Sequence, residues 1–313
     1  MNWRPRRLIL VGSVIADVSL SVAELPERGG DILAGSAVVQ AGGGFVVLFA
    51  GRSLGLPAVL AGRIGQGPFG DKVALALNRL DVDISLPRAE QDTGFCIGLI
   101  EPDGERTFVT SPGAEAALTV DELRGIRPRR DDAIYVSGYE LAYPDSGPAI
   151  ATWITEIPDS VLLALDPGPL VDNVSENLLA TVLARTNVLT LNAREARLMG
   201  GATNPGGLLL ERLATDALVV FRDGARGCTL FGRSLADMHV PAPKVDVVDT
   251  TGAGDTHTGA LLAELSRIGD IPIAARNANA AAALSVTRTG SATCPARECL
   301  DQFLDKMGKL EAL

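Results

Sequence analysis

Short runs of consecutive apolar residues alternate along this chain with longer stretches in which apolar positions recur at helical spacing. The runs at 8–11, 58–61, 133–136, 161–165, 188–191, 218–221 and 228–231 are rich in Val, Leu and Ile and do not alternate with polar residues. Such continuous apolar runs predict strands buried on both faces. Between them, the helical period predicts helices at 44–54, 69–80, 144–155, 176–184, 193–199 and 207–213. Three more are predicted at 253–267, 271–286 and 296–309. Strands that alternate with helices predict an α/β fold, with a mainly parallel sheet covered on both faces.

Two stretches break this rhythm, at 18–40 and 93–111. Both read as extended segments with turns. The second holds Pro102-Asp103-Gly104-Glu105 between apolar segments at 95–100 and 106–110, which predicts a hairpin. A small sheet made from both segments would cover the carboxyl ends of the parallel strands as a lid, where open α/β sheets bind ligands. The plainer alternative is a pair of surface loops. No repeat or linker divides the chain, so residues 1–313 are read as one domain.

Composition narrows the class. The chain of 313 residues is 47% hydrophobic and only 4% aromatic, with a net charge of −10. That is too apolar for disorder, and it lacks the basic face and stacking rings of a nucleic-acid binder. With 2 histidines and no HExxH pair, a histidine-rich zinc site is excluded. The start imitates a secretory signal, but the apolar run 8–16 is short, holds Gly12 and is followed by Asp17. It predicts a buried first strand instead. No apolar stretch reaches the 18 or so residues that a membrane-spanning helix needs. Cys96, Cys228, Cys294 and Cys299 form no CxxC pair and predict reduced thiols in a cytoplasmic protein.

Glycine clusters carry the chemistry. Gly65-Gln66-Gly67-Pro68-Phe69-Gly70 fits GxGxxG. However, Pro68 removes a donor that phosphate would need, so a tight turn into a helix is the better reading. No GxxxxGK[ST] is present. The informative cluster is Asp249-Thr250-Thr251-Gly252-Ala253-Gly254-Asp255, after a predicted β segment at 245–248 and before a long helix. Small residues there expose backbone N–H groups at a helix N-terminus, which favours an anion. A carboxylate in the same turn would repel a merely bound phosphate. It makes sense as a base that takes the proton of a hydroxyl attacking a phosphoryl group. The other reading is an Asp that caps the helix.

This cluster, followed by Gly259-Ala260, resembles the C-terminal signature of the ribokinase-like (phosphofructokinase B type) carbohydrate and nucleoside kinases. The resemblance runs along nearly the whole chain. Gly12 and Asp17 resemble the family's sugar-binding start, residues 26–31 its approach to the lid, and Gly42-Gly43-Gly44 its N-terminal glycine signature. Asn192-Ala193-Arg194-Glu195 resembles its NxxE element and Gly224-Ala225-Arg226-Gly227 its GxxG turn. Residues 279–286 and Thr287-Arg288-Thr289-Gly290 resemble its adenine-side helix and loop.

The resemblance implies a three-layer α/β/α fold with a β-sheet lid, and ATP-dependent phosphorylation of a primary hydroxyl on a small sugar or nucleoside. It implies that Asp255 is the base and that Gly252, Ala253 and Gly254 form the anion hole. Asp17, Gly42, Gly43, Val46 and Glu140 would shape the acceptor site. Asn192, Arg222, Gly224, Gly227 and Asn279 would meet ATP. Glu195 would hold Mg²⁺ through water, since Mg²⁺ retains waters. Asp249, Thr251, Ser285 and Gly290 resemble a K⁺ site found in many members. Here Cys294 replaces a common Ser, and a thiol is a poor K⁺ ligand. Lid sheets in this family often pair, which points to a homodimer.

Two departures stand out. Val46 occupies the position where an Asn usually points at the sugar, and a lost hydrogen bond of that kind changes substrate choice. His257 stands where Phe is common, and it reads better as a packed or surface histidine than as a site residue. Val46 leaves open an alternative: a sugar- or nucleoside-binding member of the fold with weak or absent catalysis.

Overall fold

The computed structural model describes residues 3–200 and 205–311. In chain order the strands are β1 (Arg7–Val11), β2 (Val14–Ser21), β3 (Ser36–Gly43), β4 (Ala58–Ala61), β5 (Asp83–Ile84), β6 (Phe95–Ile100) and β7 (Arg106–Ser111). They continue with β8 (Asp132–Ser137), β9 (Leu162–Asp166), β10 (Val188–Asn192), β11 (Leu218–Arg222), β12 (Cys228–Gly232) and β13 (Leu235–Val240). Among the described residues, nine strands form one sheet in the order β13-β12-β11-β10-β9-β8-β1-β4-β5. All its pairings from β11 to β5 are parallel, and β12 and β13 add an antiparallel edge.

Successive side chains of β1 serve opposite faces. Leu8 and Leu10 join the core under helices Phe45–Ser53, Ala253–Ile268 and Ile271–Ser285. Ile9 and Val11 join the core under Ser146–Glu156 and Glu176–Arg185. Both faces are covered, which explains why the strands read as unbroken apolar runs. The architecture is the expected three-layer α/β/α.

The second sheet has the order β3-β2-β6-β7 and is the lid. Residues 18–40 and 93–111 do supply it, although β2 starts earlier, at Val14. The Arg106–Ser111 strand pairs with Phe95–Ile100 as the predicted hairpin.

Register sets the site. Ser137 lies opposite Asp166 on β8 and β9, and Asn192 lies opposite Arg222 on β10 and β11. Four neighbouring strands thus end in polar residues along one edge, close to where the strand order reverses between β8 and β1.

Some elements differ from expectation. Residues 245–248 are not a strand: the Val248 and Asp249 N–H groups both donate to the Val286 carbonyl, at 2.8 and 3.1 Å. Val247 and Val248 are exposed, so β-branched propensity without a neighbouring strand did not suffice. The 228–231 run is antiparallel rather than parallel. Edge strand β13 exposes polar residues and gives no apolar run. Helices Val120–Gly125 and Gly138–Ala142 are additional, and the helix predicted at 207–213 spans Pro205–Leu210.

Candidate active site

Two cavities flank the carboxyl ends of the parallel strands. One, of about 570 Å³, is lined by the GxxG turn, residues of 242–250 and one side of helix Ile271–Ser285. The other, of about 310 Å³, lies between the lid and the polar strand ends. The first turn of helix Ala253–Ile268 separates them: Ala253 and Gly254 line the larger cavity, Gly252 and Asp255 the smaller.

Gly252 caps this helix with φ +72, the left-handed region that a side chain resists. Gly254 lets the Arg222 guanidinium come close, because a Cβ there would lie 2.8 Å from Arg222 Nη1. The first helical bond reaches back only from Thr256 N–H to the Gly252 carbonyl (2.8 Å). The amides before it stand at the positive end of the helix, although the Ala253 amide already donates to the Thr250 carbonyl at 3.3 Å. Burial pushes the Asp255 carboxyl up to about 7. The nearby carboxylates Asp166, Glu195 and Asp17 add to the shift, and Arg222 opposes it.

Asp17 lines the smaller cavity, and burial raises it to about 6. A Cβ at Gly42 would collide with its carboxylate, which explains a glycine there. Gly43 also lines this cavity, at the turn into helix Phe45–Ser53. Val46 is 2% exposed on the first turn of that helix and presents an apolar wall to the cavity. Glu140 is buried, with its oxygens 2.8 Å from both the Ser13 amide and the Ser13 hydroxyl. Burial pushes it up to about 8, so it carries a proton at neutral pH and braces the turn before β2.

In the larger cavity, Asn192, Arg222, Gly224, Gly227 and Asn279 are all present. The Asn279 amide is already engaged, however. Its Nδ2 donates to the Val240 carbonyl at 2.9 Å, and its Oδ1 faces His257 Nε2 at 3.1 Å. Asn279 therefore ties helix Ile271–Ser285 to β13 and does not present a free amide. His257 is packed, as expected, and burial lowers it to about 3, so the ring is neutral. Asn192 is a helix cap: its Oδ1 accepts from the Arg194 and Glu195 amides, and Glu195 returns bonds to Asn192. Glu195 nevertheless lines the smaller cavity and is buried.

The GxGxxG segment is not a phosphate site. Asp92 fills the place of an anion, accepting from the Phe69 and Gly70 amides at 3.2 and 2.8 Å.

Residues 5–298 match the profile of the pfkB family carbohydrate kinases. The chain is 31% identical, over 93% of its length and 92% of the relative's, to a sugar kinase of Escherichia coli strain K12 named YegV and described as uncharacterized. It is 29% identical to an ATP-dependent ribose-1-phosphate kinase of Halopiger xanaduensis, covering 96% of this chain and 98% of that one. Arabidopsis thaliana ribokinase complexed with ribose and ATP superposes with a TM-score of 0.78 at 23% identity, covering 96% of this chain and 99% of the other.

The chain belongs to the pfkB family of carbohydrate kinases.

In this kinase, Asp166 is the site residue that sequence reasoning missed. It ends β9 and lines the smaller cavity, with Oδ2 2.9 Å from Arg222 Nη2. The signal was available: an acid at a strand's carboxyl end, followed by Pro-Gly-Pro. Arg222 also reaches Glu195 (3.3 Å), so it is held by carboxylates at the seam between the cavities. Burial disfavours its charge, but Asp166, Glu195 and Asp255 together outweigh burial and keep it protonated.

No group of three His, Cys, Asp or Glu among the described residues could hold a metal ion unaided. The donors fit Mg²⁺ in another way. Asp166 and Glu195 carry hard carboxylate oxygens, which Arg222 already approaches at 2.9 and 3.3 Å, so Mg²⁺ would meet them through water, and Asp255 lies close enough to raise the negative charge at the seam. Mg²⁺ is usually held by one or two carboxylates together with substrate phosphates.

K⁺ fits poorly. The carboxylate of Asp249 is already paired with Arg106 of β7 (2.5 Å), and the Ser285 carbonyl accepts the Thr293 hydroxyl (3.0 Å). The expected cation set of Asp249, Thr251, Ser285 and Gly290 does come together, but as a protein-satisfied network.

Proposed function

We propose that this kinase transfers the γ-phosphoryl group of ATP to a primary hydroxyl of an uncharged sugar or nucleoside, with Asp255 as general base. The observation that carries the reading is the position of Asp255. It lies at the junction of a nucleotide-sized cavity and a smaller one lined by several carboxylates, on a helix start whose residues line both.

In this reading the base takes the hydroxyl proton as the oxygen–phosphorus bond forms, and ADP leaves as the bond to its β-phosphate breaks. A carboxyl near 7 suits that task at neutral pH. The amides of Gly252, Ala253 and Gly254, together with the Arg222 guanidinium, stabilise charge on the transferred group. Mg²⁺ bound with the nucleotide would neutralise phosphate charge, and Asp166 and Glu195 are the residues that would hold it through water. Gly224 and Gly227 would lie along ATP.

The acceptor cavity supports an uncharged substrate. Asp17, Glu140, Asp166, Glu195 and Asp255 line it, and no Lys or Arg is found among the described residues of its wall. A phosphorylated acceptor, of the kind the Halopiger relative's name describes, would bring its charge there unpaired. Phe108, Tyr135, Tyr139 and Tyr143 add four rings to the wall, which suit the face of a sugar or a base.

The chain has four free cysteines, which suits a reducing compartment such as the cytoplasm. Among the described residues no helix is long and apolar enough to cross a membrane. Exposed Leu33, Val38 and Val109 on the lid segments favour pairing of two copies through the lid.

A panel of neutral sugars and nucleosides, screened for ADP release, tests the reading. Val46 favours the second reading, a binding protein with lost catalysis. Calorimetric binding of both ATP and an acceptor, with no turnover across the panel, would establish that one instead.

A further inference from the structure

Arg106 belongs to the lid, and Asp249 belongs to the loop that leads into the anion hole. The two side chains form an ion pair across 143 positions of sequence, with Arg106 Nη2 2.5 Å from Asp249 Oδ1. The same oxygen accepts from the Thr251 amide at 2.9 Å and the Thr251 hydroxyl at 2.6 Å. The other oxygen accepts from the Gly290 amide at 3.0 Å. A carboxylate offers about four acceptor positions, and four donors reach this one, three on Oδ1 and one on Oδ2. These bonds and the Arg106 charge hold Asp249 below the usual carboxylate range, although its burial works the other way.

The surroundings leave little for a free cation. Thr293 donates to the Ser285 carbonyl at 3.0 Å and lies 3.3 Å from the Gly290 carbonyl. Burial pushes the neighbouring Cys294 thiol up to about 12, so it stays neutral and a poor ligand for a hard ion. A monovalent ion at Asp249 would have to displace a guanidinium or sit beside it, like charge against like.

We propose that Arg106 is a tethered cation. It takes the place that a free monovalent ion would hold at Asp249, fixes the loop that carries the Thr251 amide into Gly252-Ala253-Gly254, and thereby links lid position to the anion hole. Gln40, also on the lid, makes a second tie to the same region through Ser291 (3.1 Å). Arg106 acts through Asp249 and is a positioning residue. The proposal rests on the kinase reading above for its effect on rate. Its effect on ion binding stands independently of that reading.

The test uses the full chain as wild type, Arg106→Lys and Arg106→Met. Rates of ADP release with an accepted substrate are compared at equal ionic strength in K⁺, Na⁺ and tetramethylammonium, which is too large to enter. Wild type should run at the same rate in all three. Arg106→Met should lose about tenfold or more in tetramethylammonium, in kcat more than in KM, as for other residues that orient a reacting group. K⁺ should restore part of that loss. Arg106→Lys, which keeps the charge, should remain close to wild type and ion-independent. A wild-type rate that rises with K⁺, or an Arg106→Met enzyme unchanged in kcat, overturns the proposal. Thermal unfolding midpoints supply a readout that needs no substrate. K⁺ should raise the midpoint above its Na⁺ value in Arg106→Met and leave wild type unmoved. A K⁺-specific rise in wild type overturns the proposal even if no acceptor is ever found. Failure of the acceptor panel alone bears on the kinase reading.

Discussion

Arg222 Nη2 lies 2.9 Å from Asp166 Oδ2, which joins the last residues of two strands separated by β10 in the sheet. The pair is nearly closed to solvent and sits where the two cavities meet. It brings a positive side chain into an otherwise acidic seam, so it balances the resting site and, in the proposed reaction, would offer a charge to the transferred phosphoryl group.

Arg222→Met should therefore damage both stability and turnover. Removing one partner leaves Asp166 and Glu195 buried beside each other, a change that costs about 3–5 kcal/mol in comparable buried pairs. Urea unfolding at pH 7 should show a loss of that order. The loss should shrink as the pH is lowered, because the stranded acids can then take up protons. An unchanged urea midpoint would mean that the pair contributes nothing net.

Asp255 should control the pH profile. Its carboxyl titrates at about 7 and must be ionised to accept a proton, so kcat/KM should rise with pH and level off above that value. Stability runs the opposite way. The folded state holds this proton more tightly than the unfolded chain, whose group titrates near 3.8, so the contribution falls as pH rises from about 4 through about 7. Asp255→Asn removes that penalty. The variant should lose about 10²–10⁴-fold in turnover and gain about 1 kcal/mol or more at pH 8, since each tenfold difference in proton affinity between the folded and unfolded states is worth about 1.4 kcal/mol. Chemical unfolding at pH 5 and pH 8 measures it, and an equal effect at both pH values would count against the assignment.

Much of this was legible in the chain because the determinants are local. The βαβ rhythm follows from runs such as 8–11 and 188–191, which are apolar on both faces because both faces are covered. The Gly252-to-Asp255 turn is written in four consecutive residues. The contributions of Arg106 and Asn279 were not legible, and Asp166 was legible only as an acid at a strand end and not as the partner of Arg222, because each depends on a partner far away in sequence. Asp166 needs the strand order that brings Arg222 near. Arg106 needs the lid to fold over Asp249. Asn279 was expected at the nucleotide, and its amide is diverted by His257 and the Val240 carbonyl, neither of which spacing could reveal. Residues 245–248 failed for the same reason, since strand propensity cannot supply a missing neighbour.

The GxGxxG segment gives a control for the difference between motif and site. Asp92 accepts the Phe69, Gly70 and Thr93 amides and so caps helix Pro68–Arg79 from a distant loop. Asp92→Ala should cost about 1–2 kcal/mol of stability, the usual value of a carboxylate cap. At a temperature where the variant remains folded, the KM for ATP should be unchanged. A raised KM for ATP with unaltered stability would return this turn to the nucleotide site.

Val46 allows a test of acceptor choice from the other direction. Its side chain is buried where helix Phe45–Ser53 starts, and a Cβ built on Gly252 would meet Val46 Cγ1 at 3.1 Å, so it packs against the Gly252 turn and lines the smaller cavity. Val46→Asn places an amide in this wall. Without an acceptor the amide lacks an assured partner, and leaving a buried polar group unsatisfied costs about 1–3 kcal/mol. The empty enzyme should therefore unfold at lower urea. With a polyhydroxylated acceptor bound, the amide gains a partner, so KM should fall for sugars that present a hydroxyl at that wall. For acceptors that present a hydrogen or methyl group there, KM should rise, because the amide is then left unpaired in the complex. The ratio of kcat/KM between the two classes should shift by about tenfold or more, the scale on which sites built around a hydroxyl discriminate. If KM changes equally for every acceptor, Val46 acts only through packing on Gly252, and the choice of substrate lies with Asp17 and the rings of Tyr139 and Phe108.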